Sequence, residues 1–141
     1  MPPKLGQIVE TILYTSSLST SVSWYTDILC ITPFLETSAF AGFDLPNNTV
    51  LLIFDRSTTT ADKVSANGII PKHGSPTGLG QHISFACNSK EELQEWENHF
   101  EEKGVEIVGR VNWQLGGRSI YVRDPEGHAI ELMTRGVWPV Y

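Results

Sequence analysis

One order of secondary-structure signals occurs twice in this chain of 141 residues, and this repetition restricts the possible folds strongly. In each half, a strand-like segment precedes a segment with apolar residues at helical spacing, and three short strand-like segments follow. In the first half these segments cover residues 7–14, 17–29, 32–36, 39–44 and 49–54. In the second half they cover residues 82–86, 89–104, 105–111, 118–123 and 129–134. The sequence therefore predicts an α+β fold of two tandem βαβββ modules.

The ends of both predicted helices carry characteristic residues. Ser17 is placed to cap the first helix. Ser89 and Glu92 have capping-box spacing at the start of the second helix, and Gly104 ends that helix. The glutamates of the second helix form a charge run that predicts a solvated face, not a cation site: Glu91, Glu92, Glu95, Glu97, Glu101 and Glu102.

The chain length is enough for one domain, residues 1–141, with a hydrophobic core. Residues 5–55 form the first module and residues 81–135 the second. The segment 56–80 between them is rich in Ser, Thr, Gly and Pro, and is either a linker or a lid over a cavity. Placed side by side, the two modules can close their sheets around a shared cleft.

Composition excludes several classes of partner. The formal net charge of −6 argues against a nucleic-acid surface. No apolar run approaches the roughly 20 residues that span a bilayer, and the first residues lack the apolar core of a signal peptide. Cys30 and Cys87 lie in apolar segments and are expected to be reduced core thiols. We therefore expect a cytoplasmic protein that binds a small molecule, without nucleic acid or membrane.

A strand–turn–strand segment near the end of the chain carries the most specific chemical signal. The turn is Asp-Pro-Glu-Gly at 124–127, in which Pro and Gly favour a tight reversal. Beyond it, Glu131 is the one charged residue in an otherwise apolar strand. A buried carboxylate needs a partner, which here would be a metal ion, a substrate, or an arginine such as Arg118 or Arg123.

Two further polar residues occupy matching places in the two modules. Glu10 lies in the first strand of module one, and His82 opens the first strand of module two. The last strand of module one, residues 50–54, has no side chain that commonly binds metal. Each candidate has a structural alternative: His82 could be a core histidine bonded to a backbone carbonyl, and Glu10 could face solvent, because a one-residue register shift reverses every side chain.

Three segments in this order resemble the vicinal oxygen chelate superfamily of glyoxalases, bleomycin-resistance proteins and extradiol dioxygenases. They are residues 10–29, which include the Trp24-Tyr25 pair, residues 80–85, and the closing motif at residues 119–131. The resemblance covers nearly the whole chain, and the closing motif is its most specific part. It implies two βαβββ modules around a cleft and a homodimer.

The resemblance also implies a metal site. At the family's ligand positions this chain has Glu10, His82 and Glu131. Three protein ligands leave positions open for water and for substrate. A divalent Mn, Fe, Mg, Zn, Co or Ni ion would suit these ligands, and the sequence does not choose among them. One histidine and two carboxylates differ from the two-histidine set of oxygen-activating iron, and the four-ligand site of glyoxalase I would need a ligand within residues 50–54.

The function that the resemblance implies is a metal-dependent lyase or isomerase, with dioxygenase activity less favoured. Its substrate would be a small oxygen-rich or carbonyl-containing molecule. Glu10 and Tyr121 are the candidate catalytic residues, Glu10 as a base and Tyr121 as an oxyanion donor, while Ser119, Trp113 and Phe54 are candidates for substrate binding. The alternatives are a metal-free binding protein of the bleomycin-resistance type and a catalyst that uses no metal.

Overall fold

The computed structural model describes residues 8, 10–70, 72–74, 80–137 and 141. It divides into two compact units between residues 79 and 80. The first unit contains β1 (Glu10–Thr15), α1 (Leu18–Ile28), β2 (Pro33–Glu36), β3 (Phe40–Leu45), β4 (Thr49–Asp55), a short 3-10 helix (Arg56–Thr58), β5 (Lys63–Ser65) and β6 (Gly68–Ile70). The second contains β7 (His82–Ala86), α2 (Lys90–Glu102), β8 (Gly109–Asn112), β9 (Arg118–Arg123) and β10 (Ala129–Met133).

The two units share one sheet topology. The strand orders are β1-β4-β3-β2 and β7-β10-β9-β8. In each sheet the first strand pairs in parallel with the last, and the remaining pairs are antiparallel. The predicted α+β fold of two βαβββ modules is therefore confirmed. None of the described helices is long and apolar enough to cross a membrane.

One face of each sheet packs against the helix of its own unit. Strand residues alternate between the two faces, so every second side chain points toward the helix. In the first unit the buried residues of this interface include Leu13, Ala41, Phe43, Leu51 and Ile53 with Tyr25 and Ile28 of α1. In the second they include Ile120, Val122, Ile130 and Leu132 with Leu93 and Phe100 of α2. The opposite face of each sheet, which α1 or α2 of its own unit leaves uncovered among the described residues, is called the open face below.

Two predicted segments differ from the structure. The strand expected at 105–111 begins only at Gly109, because the amide of Val105 instead donates to the carbonyl of Phe100 and closes the end of α2. Part of the segment 56–80 is ordered into the 3-10 helix and the β5–β6 hairpin. Residues 71 and 75–79 of this segment lie outside the described residues.

The prediction that all the glutamates of α2 lie on a solvated face is wrong at Glu97. Its side chain is buried, and its carboxylate lies 3.3 Å from Nε of Arg110 and 3.4 Å from Nη2 of Arg118. A buried carboxylate requires such partners. These ion pairs join α2 to β8 and β9. Arg118, one of the two arginines considered as a partner for Glu131, is thus paired with Glu97 instead.

The two cysteines differ in their environments. Cys87 is buried as predicted, and burial, together with the charge of Glu92, raises the pKa of its thiol to about 11. Cys30 is exposed, so the prediction of a core thiol is wrong at this position. The physical reason is local: α1 ends at Ile28, and Cys30 adopts a left-handed backbone conformation with φ +58°.

Candidate functional site

A group of polar side chains lies on the open face of the second sheet. The register places Glu131 of β10 beside Ser84 of β7 on one side and Tyr121 of β9 on the other. His82 lies two residues before Ser84 in the same strand, so it shares the open face. Three strands thus bring together three of the residues that the sequence analysis selected: His82, Tyr121 and Glu131.

His82 and Glu131 are in direct contact. Nε2 of His82 lies 2.9 Å from Oε2 of Glu131, and the two side chains are 56% and 4% exposed, respectively. Among the described side chains, no arginine lies within ion-pair distance of Glu131, because Arg118 binds Glu97 and Arg123 donates to the carbonyl of Gly127. The arginine alternative for Glu131 is therefore wrong. His82 is an exposed ring beside a buried carboxylate, and not a core histidine.

A chain of hydrogen bonds fixes Glu131 from the other side. The Tyr121 hydroxyl donates to Oε1 of Glu131 at 2.6 Å. Ser119 is hydrogen-bonded to the Tyr121 side chain, and Nε1 of Trp113 donates to Oγ of Ser119 at 2.8 Å. Both oxygens of Glu131 therefore have partners. The chain explains why a carboxylate on a short apolar strand keeps one orientation on the open face.

The same contacts keep Tyr121 protonated. Burial, followed by the hydrogen bond and the negative charge of Glu131, raises the pKa of the Tyr121 phenol to about 12, although the bond to Ser119 acts in the opposite direction. The phenol is thus neutral across the physiological pH range. Tyr121 can donate a hydrogen bond there, but it cannot serve as a base.

This pKa shift predicts a loss of stability in strong base. The unfolded phenol ionises near pH 10 and the folded one near pH 12, so the folded state retains a proton that the unfolded state has lost. The contribution of Tyr121 is complete below pH 10 and disappears as the pH rises to 12. Tyr121→Phe should therefore reduce the slope of unfolding free energy against pH, by less than about 1.4 kcal/mol per pH unit. Urea unfolding between pH 8 and 11 measures this, and equal slopes would contradict it.

The turn between β9 and β10 anchors the residue that precedes His82. Oδ1 of Asp124 accepts hydrogen bonds from the amides of Glu126, at 3.0 Å, and His128, at 2.9 Å. The buried His128 ring then accepts a bond from the amide of Gln81 at its Nδ1, at 2.8 Å. The closing motif thus positions the start of β7 as well as Glu131, through backbone contacts that its sequence alone did not reveal.

Glu10 lies on the open face of the first sheet. It alternates along β1 with Leu13 and Thr15, which are buried on the helix side. It lines a cavity of about 580 Å³ in this unit, and Phe54 lines the same cavity. Glu10 is exposed there, and among the described residues it has no hydrogen-bond or ion-pair partner.

The shared topology allows the two open faces to be compared position by position. Glu10 and His82 each begin the first strand of their sheets. Two residues later in each strand, Ile12 lies beside Leu52, whereas Ser84 lies beside Glu131. Leu52 therefore occupies in the first sheet the position that Glu131 occupies in the second. This placement agrees with the expectation that residues 50–54 supply no metal ligand.

The donor chemistry of these residues suits a divalent ion. One imidazole nitrogen and carboxylate oxygens are common ligands of Mn, Fe, Co, Ni and Zn. Within each unit, the described residues include no three His, Cys, Asp or Glu side chains close enough to hold a metal ion. The second unit brings His82 and Glu131 together, and Glu10 belongs to the first unit. The set of three ligands therefore remains a prediction.

Sequence reasoning missed three residues that line the cavity of the first unit: Phe40, Lys63 and His73. Nδ1 of His73 is hydrogen-bonded to the hydroxyl of Tyr14 at 2.5 Å, across 59 residues of sequence. No local pattern signals a contact of that range. Of the substrate-binding candidates, Phe54 lines this cavity, while Ser119 and Trp113 belong to the hydrogen-bond chain of the second unit.

Comparison with known proteins gives the family. The profile of the Glyoxalase/Bleomycin resistance protein/Dioxygenase superfamily matches residues 4–132. Metallothiol transferase FosB from Bacillus licheniformis is 30% identical over 136 residues, which are 96% of this chain and 79% of that protein. The crystal structure of a lactoylglutathione lyase from Agrobacterium tumefaciens covers 99% of both chains, with a TM-score of 0.85 and 28% identity. A glyoxalase/bleomycin resistance protein/dioxygenase from Nocardioides shares the fold, with a TM-score of 0.75 and 22% identity over 98% of this chain and 90% of that one. This chain belongs to the glyoxalase, bleomycin-resistance and dioxygenase superfamily.

Proposed function

We propose that this protein is a metal-dependent enzyme of the lyase or isomerase type that acts on a small molecule with a carbonyl group or neighbouring oxygens. One observation carries the proposal: buried Glu131 faces the open side of its sheet, with an exposed imidazole 2.9 Å away. A buried carboxylate is normally paired with a positive group or coordinates a metal, and the hydrogen bonds from His82 and Tyr121 leave the charge of Glu131 without a permanent cation beside it. Among the described residues no arginine or lysine fills that role, and a divalent ion would.

His82 and Glu131 would hold the ion together with Glu10 of the first unit. When bound, such an ion polarises a carbonyl group and stabilises negative charge on oxygen. Tyr121 keeps the proton on its phenol and holds Oε1 of Glu131, so the carboxylate stays oriented. Glu10 is exposed and lines the cavity of the first unit, so it is the candidate base of the proposed enzyme.

Two relatives support an enzymatic role. Metallothiol transferase FosB and the lactoylglutathione lyase are both named as enzymes that act on small molecules, and the first name includes a metal. Both likenesses extend over nearly the whole of this chain. We infer that this protein, like them, acts on a small molecule, with a metal ion as the name of FosB suggests, and we assign it neither particular reaction.

Metal analysis of the full-length protein tests the proposal. The protein would be stripped with EDTA, dialysed against Mn²⁺, Co²⁺, Ni²⁺ or Zn²⁺, and its metal content measured by mass spectrometry. We expect about one ion per chain for at least one metal, and weaker binding in Glu10→Gln than in the control Glu36→Gln, which alters an exposed glutamate of β2. Less than a tenth of an equivalent for every metal would contradict the proposal.

A metal-free binding protein is the second candidate, and the cavity of the first unit favours it. The cavity has an apolar wall and its size is typical of small-molecule sites. A binding protein needs such a cavity and does not need Glu131 to hold an ion. Stoichiometric metal that depends on Glu131 would contradict this second candidate.

A further inference from the structure

The two open faces have diverged in chemistry at corresponding positions. In the second sheet, Ser119 and Tyr121 of β9 join the hydrogen-bond chain that ends on Glu131. By register, the corresponding residues of β3 in the first sheet are Phe40 and Gly42. The polar chain of one unit is thus replaced in the other by an aromatic ring and a glycine. At these positions the first unit has fewer hydrogen-bonding groups and more apolar surface than the second.

That apolar surface is a cluster of aromatic rings, called here the aromatic wall. The rings of Phe40 and Phe54 stack with centroids 5.0 Å apart and an interplanar angle of 25°. The ring of His73 stands perpendicular to Phe54, with centroids also 5.0 Å apart. The Tyr14 hydroxyl holds His73 in this place through its Nδ1. Phe40, Phe54 and His73 all line the cavity, so a molecule bound there meets aromatic surface.

Two charged side chains line the same cavity, Glu10 and Lys63. Among the described residues, neither has a hydrogen-bond or ion-pair partner of its own. Glu10 lies on β1 and Lys63 on the β5–β6 hairpin, so the two charges line the cavity from different elements, and the Lys63 ammonium is available to pair with an anionic group of a bound molecule with or without a metal ion. The volume of about 580 Å³ lies within the range of small-molecule sites, about 300–1,000 Å³.

We propose that this cavity binds a planar aromatic molecule that carries an anionic group. Its ring lies against Phe40 and Phe54, since aromatic rings favour stacked or edge-on contacts, and its anionic group pairs with Lys63. A molecule bound there also contacts Glu10. An aromatic anion is then the substrate class of the enzyme, a step that rests on the proposed function. Binding itself needs only the first unit and no metal.

Three small probes test the chemistry of the cavity. Binding of 1-naphthoate, 1-naphthylmethylammonium and cyclohexanecarboxylate would be measured on the full chain by amide NMR shifts in the presence of EDTA. We expect saturable binding of 1-naphthoate, with shifts at residues that line the cavity, and weaker binding of the other two. No saturable binding of 1-naphthoate, or tighter binding of the ammonium probe or of the non-aromatic carboxylate, would overturn the proposal.

Variants of two cavity residues, each with a matched control outside the cavity, test whether those residues contact 1-naphthoate. Phe54→Leu should weaken 1-naphthoate about three- to tenfold by removing an aromatic contact, whereas Phe34→Leu, an exposed phenylalanine outside the cavity lining, should not. Lys63→Gln should weaken it about two- to fivefold, as expected for an exposed charge, and Lys103→Gln should leave it unchanged. Lys63 lies on an exposed hairpin, so its variant keeps the test valid if Phe54→Leu does not fold. Equal affinities in the variants and their controls would overturn the proposal.

The metal experiment and the 1-naphthoate experiment can each contradict one proposal without contradicting the other. Saturable 1-naphthoate binding in a protein that retains no metal supports the cavity proposal and contradicts the proposed enzyme. Metal retention without 1-naphthoate binding overturns the cavity proposal and leaves the proposed function in place.

Discussion

Glu131→Gln is expected to weaken divalent metal binding by at least about 10-fold. Loss of an outer partner of a metal ligand typically weakens affinity 10–100-fold, and loss of a ligand's charge should weaken it by at least as much. Glutamine keeps the size of the side chain, but it replaces one carboxylate oxygen with an amide nitrogen that cannot bind the ion. Competition with a chelator of known affinity, monitored by its absorbance, measures the change.

The control for this experiment is Glu106→Gln, which alters an exposed glutamate between α2 and β8. It removes the same charge from the protein, so any effect of net charge appears in both variants. We expect Glu106→Gln to bind metal as the unaltered protein does. Unchanged affinity in Glu131→Gln would exclude Glu131 as a ligand and would contradict the proposed metal site.

Gly136→Ala is expected to lower the free energy of unfolding by about 2–5 kcal/mol. Gly136 has φ +96°, and a Cβ placed on it would lie 2.6 Å from the amide nitrogen of Gly117 and 2.8 Å from the carbonyl oxygen of Leu115. Both neighbours are backbone atoms and cannot rotate away. The amide of Gly117 also donates to the carbonyl of Gly136 at 3.1 Å, so the clash would break a contact between the turn before β9 and the segment after β10. Urea denaturation followed by circular dichroism measures the loss.

Gly116→Ala separates backbone strain from the clash. Gly116 has nearly the same backbone angle, φ +94°, but a Cβ placed on it would meet nothing within 4 Å. Its free energy of unfolding should fall only by the cost of placing a non-glycine residue in a left-handed conformation, about 1–2 kcal/mol. The Trp113 amide bonds to the carbonyl of Gly117 in this turn, so Gly136→Ala should also disturb the contact between Trp113 and Ser119. Equal losses in the two variants would show that the close backbone approach is unimportant.

The sequence predicted most features of the second helix that depend on local spacing, whereas the predicted cap of the first helix is wrong in part: Ser17 precedes α1, but its side chain makes no capping hydrogen bond. The cap at Ser89 is confirmed, since the amide of Glu92 donates to the Ser89 hydroxyl, while the Glu92 carboxylate accepts from the amide of Asn88, one residue before the cap. Gly104 follows the end of α2 with φ +69°, as its position predicts. Such signals act within one turn of chain, so a sequence displays them directly.

Burial of charged residues could not be predicted in the same way. Glu97 lies in a run of glutamates and shares their pattern, yet it is buried because Arg110 and Arg118 reach it from two strands of the sheet. Cys30 lies in an apolar segment and yet is exposed, because α1 ends just before it. Each outcome depends on where neighbouring elements pack, and not on the residue's own segment.

The sequence by itself determined the two βαβββ modules, the strands that carry Glu10, His82 and Glu131, and the lack of a ligand in the last strand of the first module. Periodicity and turn residues encode these features locally. Only the tertiary structure decided that His82 and Tyr121 hold the two oxygens of Glu131, and that Tyr14 fixes His73 beside Phe54. These contacts join residues far apart in the chain, and strand register and packing create them only when the sheets form.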